Sequence, residues 1–174
     1  MAKVRVMHFL NQFFAGMGGE DKADVPADFR KEPLGPGKRL QALLGDSAEI
    51  VVTVFCGDNY FPGHQEETID RILQIAKDQD IRILVAGPAF LAGRFGFACT
   101  EVCHSASASL GLDCVTAMHG ENAGVVGYEE YKDRRVFCLP TSEGIKGMED
   151  ALSRMAKFVS KLATGAAIGS ASTK

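Results

Sequence analysis

Several absences narrow the reading before any motif is considered. The sequence has no apolar stretch near the roughly 20 residues needed to cross a bilayer, so no membrane span is expected. Its opening, Met1-Ala2-Lys3, runs straight into a strand-like segment without a signal-peptide apolar core or cleavage site, and a cytoplasmic location is the expectation. Basic residues are not in excess. A formal net charge of −3 gives no broad positive field and argues against non-specific binding to nucleic acid. The five cysteines are odd in number and contain no C-x-x-C pair, so thiols are expected rather than a disulfide framework. A dinucleotide fingerprint is missing as well. Gly16-x-Gly18-Gly19 follows the first strand-like run, but the G-x-G-x-x-G spacing is not met, and Glu20 and Asp21 would repel a pyrophosphate. Backbone angles with positive φ account for these glycines equally well.

What remains is an ordinary globular composition, 46% hydrophobic and 24% charged over 174 residues, enough for one domain with its own core. Five runs rich in Val and Ile, at residues 4–10, 50–56, 81–86, 114–118 and 136–139, are nearly continuous in apolar residues, as strands buried on both faces are. Helical spacing separates them. Ile69, Ile72, Leu73 and Ala76 share one face over residues 66–78, and Cys99, Val102, Cys103, Ala106 and Leu110 share one over 94–110, with Gly111 placed to end the helix. Shorter and later patterns cover residues 37–44 and 148–162, while 127–134 reads as a turn between the last two strands.

The order β-α-β-α-β-α-β-β-α predicts a single α/β domain, a mostly parallel five-stranded sheet with helices on both faces, in a flavodoxin-like or Rossmann-like three-layer sandwich. The domain is expected over residues 1–163. A polar insert at 21–36 containing Pro26, Pro33 and Pro36 reads as a lid, binding loop or partner surface. The Gly, Ala, Ser and Thr of 164–174 read as a flexible tail or linker.

The polar chemistry gathers where the strand-like runs end, along the sheet edge at which ligands bind in such folds. Asn11-Gln12 and Asp58-Asn59 offer hydrogen-bonding groups suited to an amine or amino acid, and they also make turns and caps. After Gly87-Pro88, an exposed-loop aromatic, Phe90, precedes Arg94 at a helix start, where a guanidinium suits a carboxylate or phosphate. His119-Gly120-Glu121-Asn122 supplies an acid/base pair and an amide, against the reading of a satisfied structural histidine. Cys56, where a strand opens into Gly57-Asp58-Asn59, is either a reactive or a buried thiol. Cys99, Cys103 and His104 fall short of a tetrahedral set and share the face of Val102 and Ala106, so core packing is the better account and no metal site is expected.

Several of these stretches together resemble a known family. Leu10-Asn11-Gln12-Phe13-Phe14-Ala15-Gly16-x-Gly18-Gly19-Glu20-x-Lys22-Ala23-Asp24 is similar to the opening of the component B selenoprotein of glycine, sarcosine and betaine reductases. Gly35-Pro36-Gly37, Val54-x-Cys56-Gly57-Asp58-Asn59-Tyr60-Phe61, Ala86-Gly87-Pro88-Ala89-Phe90-x-Ala92-Gly93-Arg94-x-Gly96-x-Ala98-Cys99 and Gly120-Glu121-Asn122 match the same family in order. The likeness covers nearly all of this chain but only the amino-terminal part of the family protein.

The resemblance implies an amino-terminal part or split subunit of a multi-subunit reductase that cleaves the C–N bond of a small amine. A pyruvoyl-bearing component B subunit and selenoprotein A would be its partners, and a homo-oligomer is compatible with the reading. It implies no cofactor in this chain, since the pyruvoyl group sits on a partner and the redox-active selenocysteine in the half this sequence does not contain. On this reading Arg94 holds a substrate carboxylate, with Asn11, Gln12 and Asn122 as further binding groups. Asp58, Asn59 and Glu121 face its nitrogen, and Phe14, Tyr60 and Phe90 offer aromatic faces. Cys56, His119 and Glu121 stand as catalytic candidates. A free-standing binding or scaffold domain is the alternative, followed by a flavin- or nucleotide-binding domain.

Overall fold

Hydrophobic strands with no polar face need cover on both sides, and the computed structural model, which describes residues 2–165, supplies it. Six strands form one sheet: β1 (Val4–Asn11), β2 (Asp28–Arg30), β3 (Ala48–Cys56), β4 (Ile83–Phe90), β5 (Asp113–Met118) and β6 (Val136–Pro140). The helices are α1 (Pro36–Leu44), the single turn α2 (Tyr60–Gly63), α3 (Gln65–Asp78), α4 (Gly93–Leu110), α5 (Ala123–Tyr131) and α6 (Met148–Thr164). The strand order is β2-β3-β1-β4-β5-β6, parallel throughout except for the antiparallel pair β2 and β3.

Two apolar layers flank the sheet. Met7, Phe9, Val52 and Val54 pack with Ile72 and Ile75 of α3 and with Phe95, Cys99, Val102 and Ala106 of α4. On the other face Val6, Ile50, Val85 and Val115 meet Leu40 and Leu44 of α1 and Leu152, Met155 and Val159 of α6. Every residue of β4, at the centre, is buried. Burying one such aliphatic side chain is worth about 1.5–3 kcal/mol, so these layers are the main source of stability. The parallel strands alone run β3-β1-β4-β5-β6, the flavodoxin-like order.

Four features differ from the expectation. The sheet has six strands rather than five, because residues 28–30 of the polar insert form the edge strand β2. Three residues with a charge at each end give no hydrophobic period to read. The insert is fastened to the end of β3: the Gly57 N–H donates to Val25 O at 2.9 Å and the Asn59 N–H to Ala23 O at 2.8 Å. A Cβ on Gly57 would lie 2.2 Å from Ala23 O, so only glycine allows this approach.

Residues 127–131, expected as a turn, belong to α5, whose buried residue is a glycine, Gly124, so it carries little amphipathic signal. The strand expected to end at Ala86 instead continues through Gly87 and a cis peptide bond to Pro88, ending at Phe90. Helix α6 extends through Thr164, the first residue expected in the tail, and Gly165 caps it at φ 73°. The rest of the expected tail lies outside the described residues.

Candidate functional site

The connections leaving the carboxyl ends of β1 and β4 diverge to opposite faces of the sheet, and such a divergence leaves a crevice. A cavity of about 470 Å³ sits there, lined by Asn11, Gln12, Phe13 and Phe14 after β1, Asp58 after β3, and Phe90, Leu91 and Arg94 around the end of β4. Glu20 comes from the insert side, and Glu143 and Ile145 from the connection between β6 and α6.

Its polar floor is built from buried groups. Asn11 is 4% exposed and Gln12 2%. The Asn11 side chain accepts the Phe14 N–H at 2.9 Å and donates to Asp58 Oδ2 at 3.2 Å. The Asp58 N–H donates to Gln12 Oε1 at 2.9 Å, so one amide holds the carboxylate and the other the backbone that carries it. Burial raises the Asp58 pKa above the ordinary aspartate range, while Arg94, Asn11 and Gln12 oppose the rise and Glu20 adds to it.

Arg94 stands 3.9 Å from Asp58 Oδ2, donates to Asn59 Oδ1 at 2.5 Å and pairs with Glu20. Those carboxylates, Glu20 foremost through its hydrogen bond, raise the Arg94 pKa and keep the guanidinium charged. Aromatic and aliphatic surface surrounds these charges. Phe13 is 52% exposed, Leu91 40% and Ile145 56%, giving the mouth an apolar rim.

The structure therefore brings Asn11, Gln12, Asp58, Phe90 and Arg94 into one cavity, with Asn59 touching Arg94. Phe90 is not an exposed-loop aromatic. It is 3% exposed and adopts φ 52°, unusual for a bulky side chain. Its carbonyl fixes it there, accepting the His119 N–H at 2.9 Å and Asn122 Nδ2 at 2.8 Å.

Other candidates fall outside the cavity lining. Tyr60 stacks on His64 at 3.8 Å and donates to Glu67. His119 accepts the Glu121 N–H on Nδ1 at 3.1 Å, and Glu121 is exposed. Asn122 is buried and saturated: it donates to Phe90 O and Ala92 O and accepts the Gly124 N–H at 2.9 Å, capping α5. Cys56 is 2% exposed, and burial, with Asp58 nearby, pushes its thiol up to about 12. Among the described residues no three His, Cys, Asp or Glu side chains gather as a metal would need.

Reading the sequence missed Phe13, Leu91, Glu143 and Ile145 as cavity residues and treated Glu20 only as a repelling charge. The strand-end rule drew attention to the exit of the last strand-like run, residues 136–139, but named no candidate residue there, whereas Glu143 and Ile145 a few positions on line the cavity.

Residues 3–174 match the family described as glycine/sarcosine/betaine reductase selenoprotein B. The chain is 41% identical to the sarcosine reductase complex component B subunit beta of Peptoclostridium acidaminophilum, over 97% of this chain and 38% of that protein. It is 44% identical to the glycine reductase complex component B subunit gamma of the same organism, over 97% of this chain and 38% of that protein. The betaine reductase complex component B subunit beta of that organism is 38% identical, over 94% of this chain and 36% of that protein. The chain thus spans less than two-fifths of the length of these curated relatives. No solved structure matches it. With the family matched along nearly the whole chain and identity near two-fifths to three of its members, this chain belongs to the glycine/sarcosine/betaine reductase selenoprotein B family.

Proposed function

We propose that this domain holds the amine substrate of a component B reductase in the cavity between the ends of β1 and β4. The observation that carries the reading is the pairing of one guanidinium with one oriented, largely buried carboxylate, Arg94 and Asp58, 3.9 Å apart inside apolar walls. Glycine, sarcosine and betaine, which name the relatives, share a carboxylate one carbon from a nitrogen and differ in the methyl groups on that nitrogen. A cation and an anion placed side by side complement the two ends of such a molecule.

In this arrangement Arg94 takes the carboxylate through its planar fork. Asp58, held by Asn11 and Gln12, faces the nitrogen and hydrogen-bonds it wherever an N–H remains. Phe13, Phe14 and Phe90 lend ring faces to a methylated cation, for which no hydrogen bond is available. The domain binds, orients and excludes water. Reductive cleavage of the C–N bond would use the partner's pyruvoyl group and a selenocysteine, neither of them in this chain. Cys56, with its pKa near 12, is no substitute nucleophile.

Docking of a partner subunit is the second reading, favoured by the exposed Phe13, Leu91 and Ile145 at the mouth. Calorimetric titration of the full chain with glycine, sarcosine and betaine, repeated on Arg94→Ala, separates the two. Binding that disappears in Arg94→Ala supports the substrate site. Absence of binding by all three, with capture of a pyruvoyl-bearing subunit weakened by Phe13→Ser and Ile145→Ser, would replace it with the docking reading.

A further inference from the structure

Arg94 is not open for a ligand in this structure. Its Nη2 donates to Glu20 Oε1, and its Nη1 lies 3.5 Å from Glu20 Oε2, so the two nitrogens face the two oxygens of one carboxylate. That is the fork-to-fork geometry a bound carboxylate would use. The remaining contacts of the guanidinium, to Asn59 Oδ1 at 2.5 Å and toward Asp58 at 3.9 Å, come from the β3 side. Glu20 thus occupies the edge of Arg94 that a ligand needs.

The segment bearing Glu20 is suited to yielding that position. Its side chain is 72% exposed and sits on the three-residue turn Glu20–Lys22, whose capping position, Gly19, supplies no side-chain bond. Gly16 and Gly18 precede it at φ 83° and 144°, leaving a backbone with few side-chain constraints. An exposed ion pair of this kind contributes little to stability, so breaking it costs little compared with what a charge-assisted contact to a ligand returns.

We infer that Glu20 is an internal stand-in for the ligand carboxylate, competing for Arg94 and determining which ligands the cavity accepts. The inference rests on the reading of the cavity as a carboxylate-binding site. A ligand with a carboxylate replaces Glu20 on the fork, while a cation without one leaves the pair closed. Glu20 then acts through Arg94 as a specificity-determining residue: it lowers affinity for every carboxylate ligand alike and spares cations that carry no carboxylate.

The test uses acetate, betaine and choline as probes against the full chain, its Glu20→Gln, Glu20→Asp and Arg94→Ala forms. Glu20→Gln removes the competing charge. Glu20→Asp keeps the charge but shortens the side chain by one methylene and withdraws it from the fork. Competition predicts that both variants bind acetate and betaine about threefold more tightly, equivalent to about 0.7 kcal/mol. Choline binding is unchanged in Glu20→Asp and weakened in Glu20→Gln, and Arg94→Ala abolishes the gain.

A gain in Glu20→Gln without one in Glu20→Asp would reduce the effect to simple charge repulsion and overturn the inference. Unaltered betaine affinity in both variants would overturn it while leaving the amine site standing. Tighter acetate binding without any amine binding would preserve the competition and remove the amine reading instead. No acetate binding by any form would make Arg94 a structural partner of Glu20 and end the inference.

Discussion

His8 Nε2 lies 2.7 Å from the carbonyl oxygen of Gly87, joining the middle of β1 to the point where β4 bends beneath the cavity. The imidazole is fully buried, and its other nitrogen, Nδ1, has no hydrogen-bond partner among the described residues. A ring that donates from Nε2 and leaves Nδ1 bare is the neutral form, and burial lowers its pKa from 6.5 to about 4, against the opposing pull of the Gly87 carbonyl.

The sign of the resulting pH dependence follows from linkage. The unfolded chain takes up a proton on this side chain below about 6.5 and the folded protein only below about 4. Stability is therefore complete above 6.5 and falls as the pH drops from 6.5 to 4, by on the order of 3 kcal/mol at about 1.4 kcal/mol per pH unit. His8→Gln, whose amide reaches the same carbonyl without titrating, should flatten that part of the curve. Urea midpoints at pH 7 and pH 4.5 check it, and an equal loss in both proteins would remove His8 as the cause.

Asp58 should show opposite effects on binding and on stability. Because burial raises its pKa, the charged form is held at some expense to the fold at neutral pH. Asp58→Asn should weaken betaine binding about tenfold, as the Coulombic attraction to its quaternary nitrogen is lost, yet raise Tm by about 1–4 °C. In the parent protein, betaine affinity should begin to fall at a pH above the ordinary aspartate range as Asp58 protonates, and Asp58→Asn should abolish that dependence. Calorimetry across pH, paired with thermal melts, reads both. A variant that both melts earlier and binds less would assign Asp58 to the scaffold instead.

Asn122 should behave as a structural residue. Its amide nitrogen serves the carbonyls of Phe90 and Ala92 while its oxygen caps α5. Asn122→Asp keeps the cap and turns a carboxylate oxygen toward two carbonyls, so it should destabilise the protein at least as much as Asn122→Ala, by about 2–4 kcal/mol. Chemical unfolding of the two variants decides this. A stable Asn122→Asp protein would mean the two donated bonds contribute little.

The thiols should be inert. All five cysteines are buried and free, and burial pushes both Cys56 and Cys138 up to about 12. Native protein at pH 8 should release well under one equivalent in an Ellman assay, against five after denaturation. Cys56→Ala should leave amine binding within twofold of the parent. Rapid labelling of Cys56 in the native protein would revive it as a chemical participant.

Much of this fold was legible because its signal is repeated. Apolar residues, Val, Ile and Leu prominent among them, dominate the central strands, and Cys99, Val102, Cys103 and Ala106 mark the inner face of α4. Strand β2 escaped because three residues carry no period, and α5 because a cap at Asn122 and a glycine contact begin it, not a hydrophobic stripe. In the candidate site, the rule of strand ends led to Asn11, Gln12, Asp58 and Arg94. It treated Asn122 in the same way, since sequence position does not say whether an amide turns toward a cavity or into backbone carbonyls. The Glu20 contact with Arg94 spans 74 residues and has no local signature.

The short antiparallel strand β2 has a consequence for solubility. It covers the carboxyl end of β3, pairing with Thr53, Val54 and Phe55 of that nine-residue strand. Its own outer edge is only three residues long and carries Asp28 and Arg30, a poor template for another chain. Removal of residues 21–36 would lengthen the open edge of β3 by the backbone donors and acceptors of Thr53–Phe55. The polar insert thus shortens the edge on which a second copy could pair.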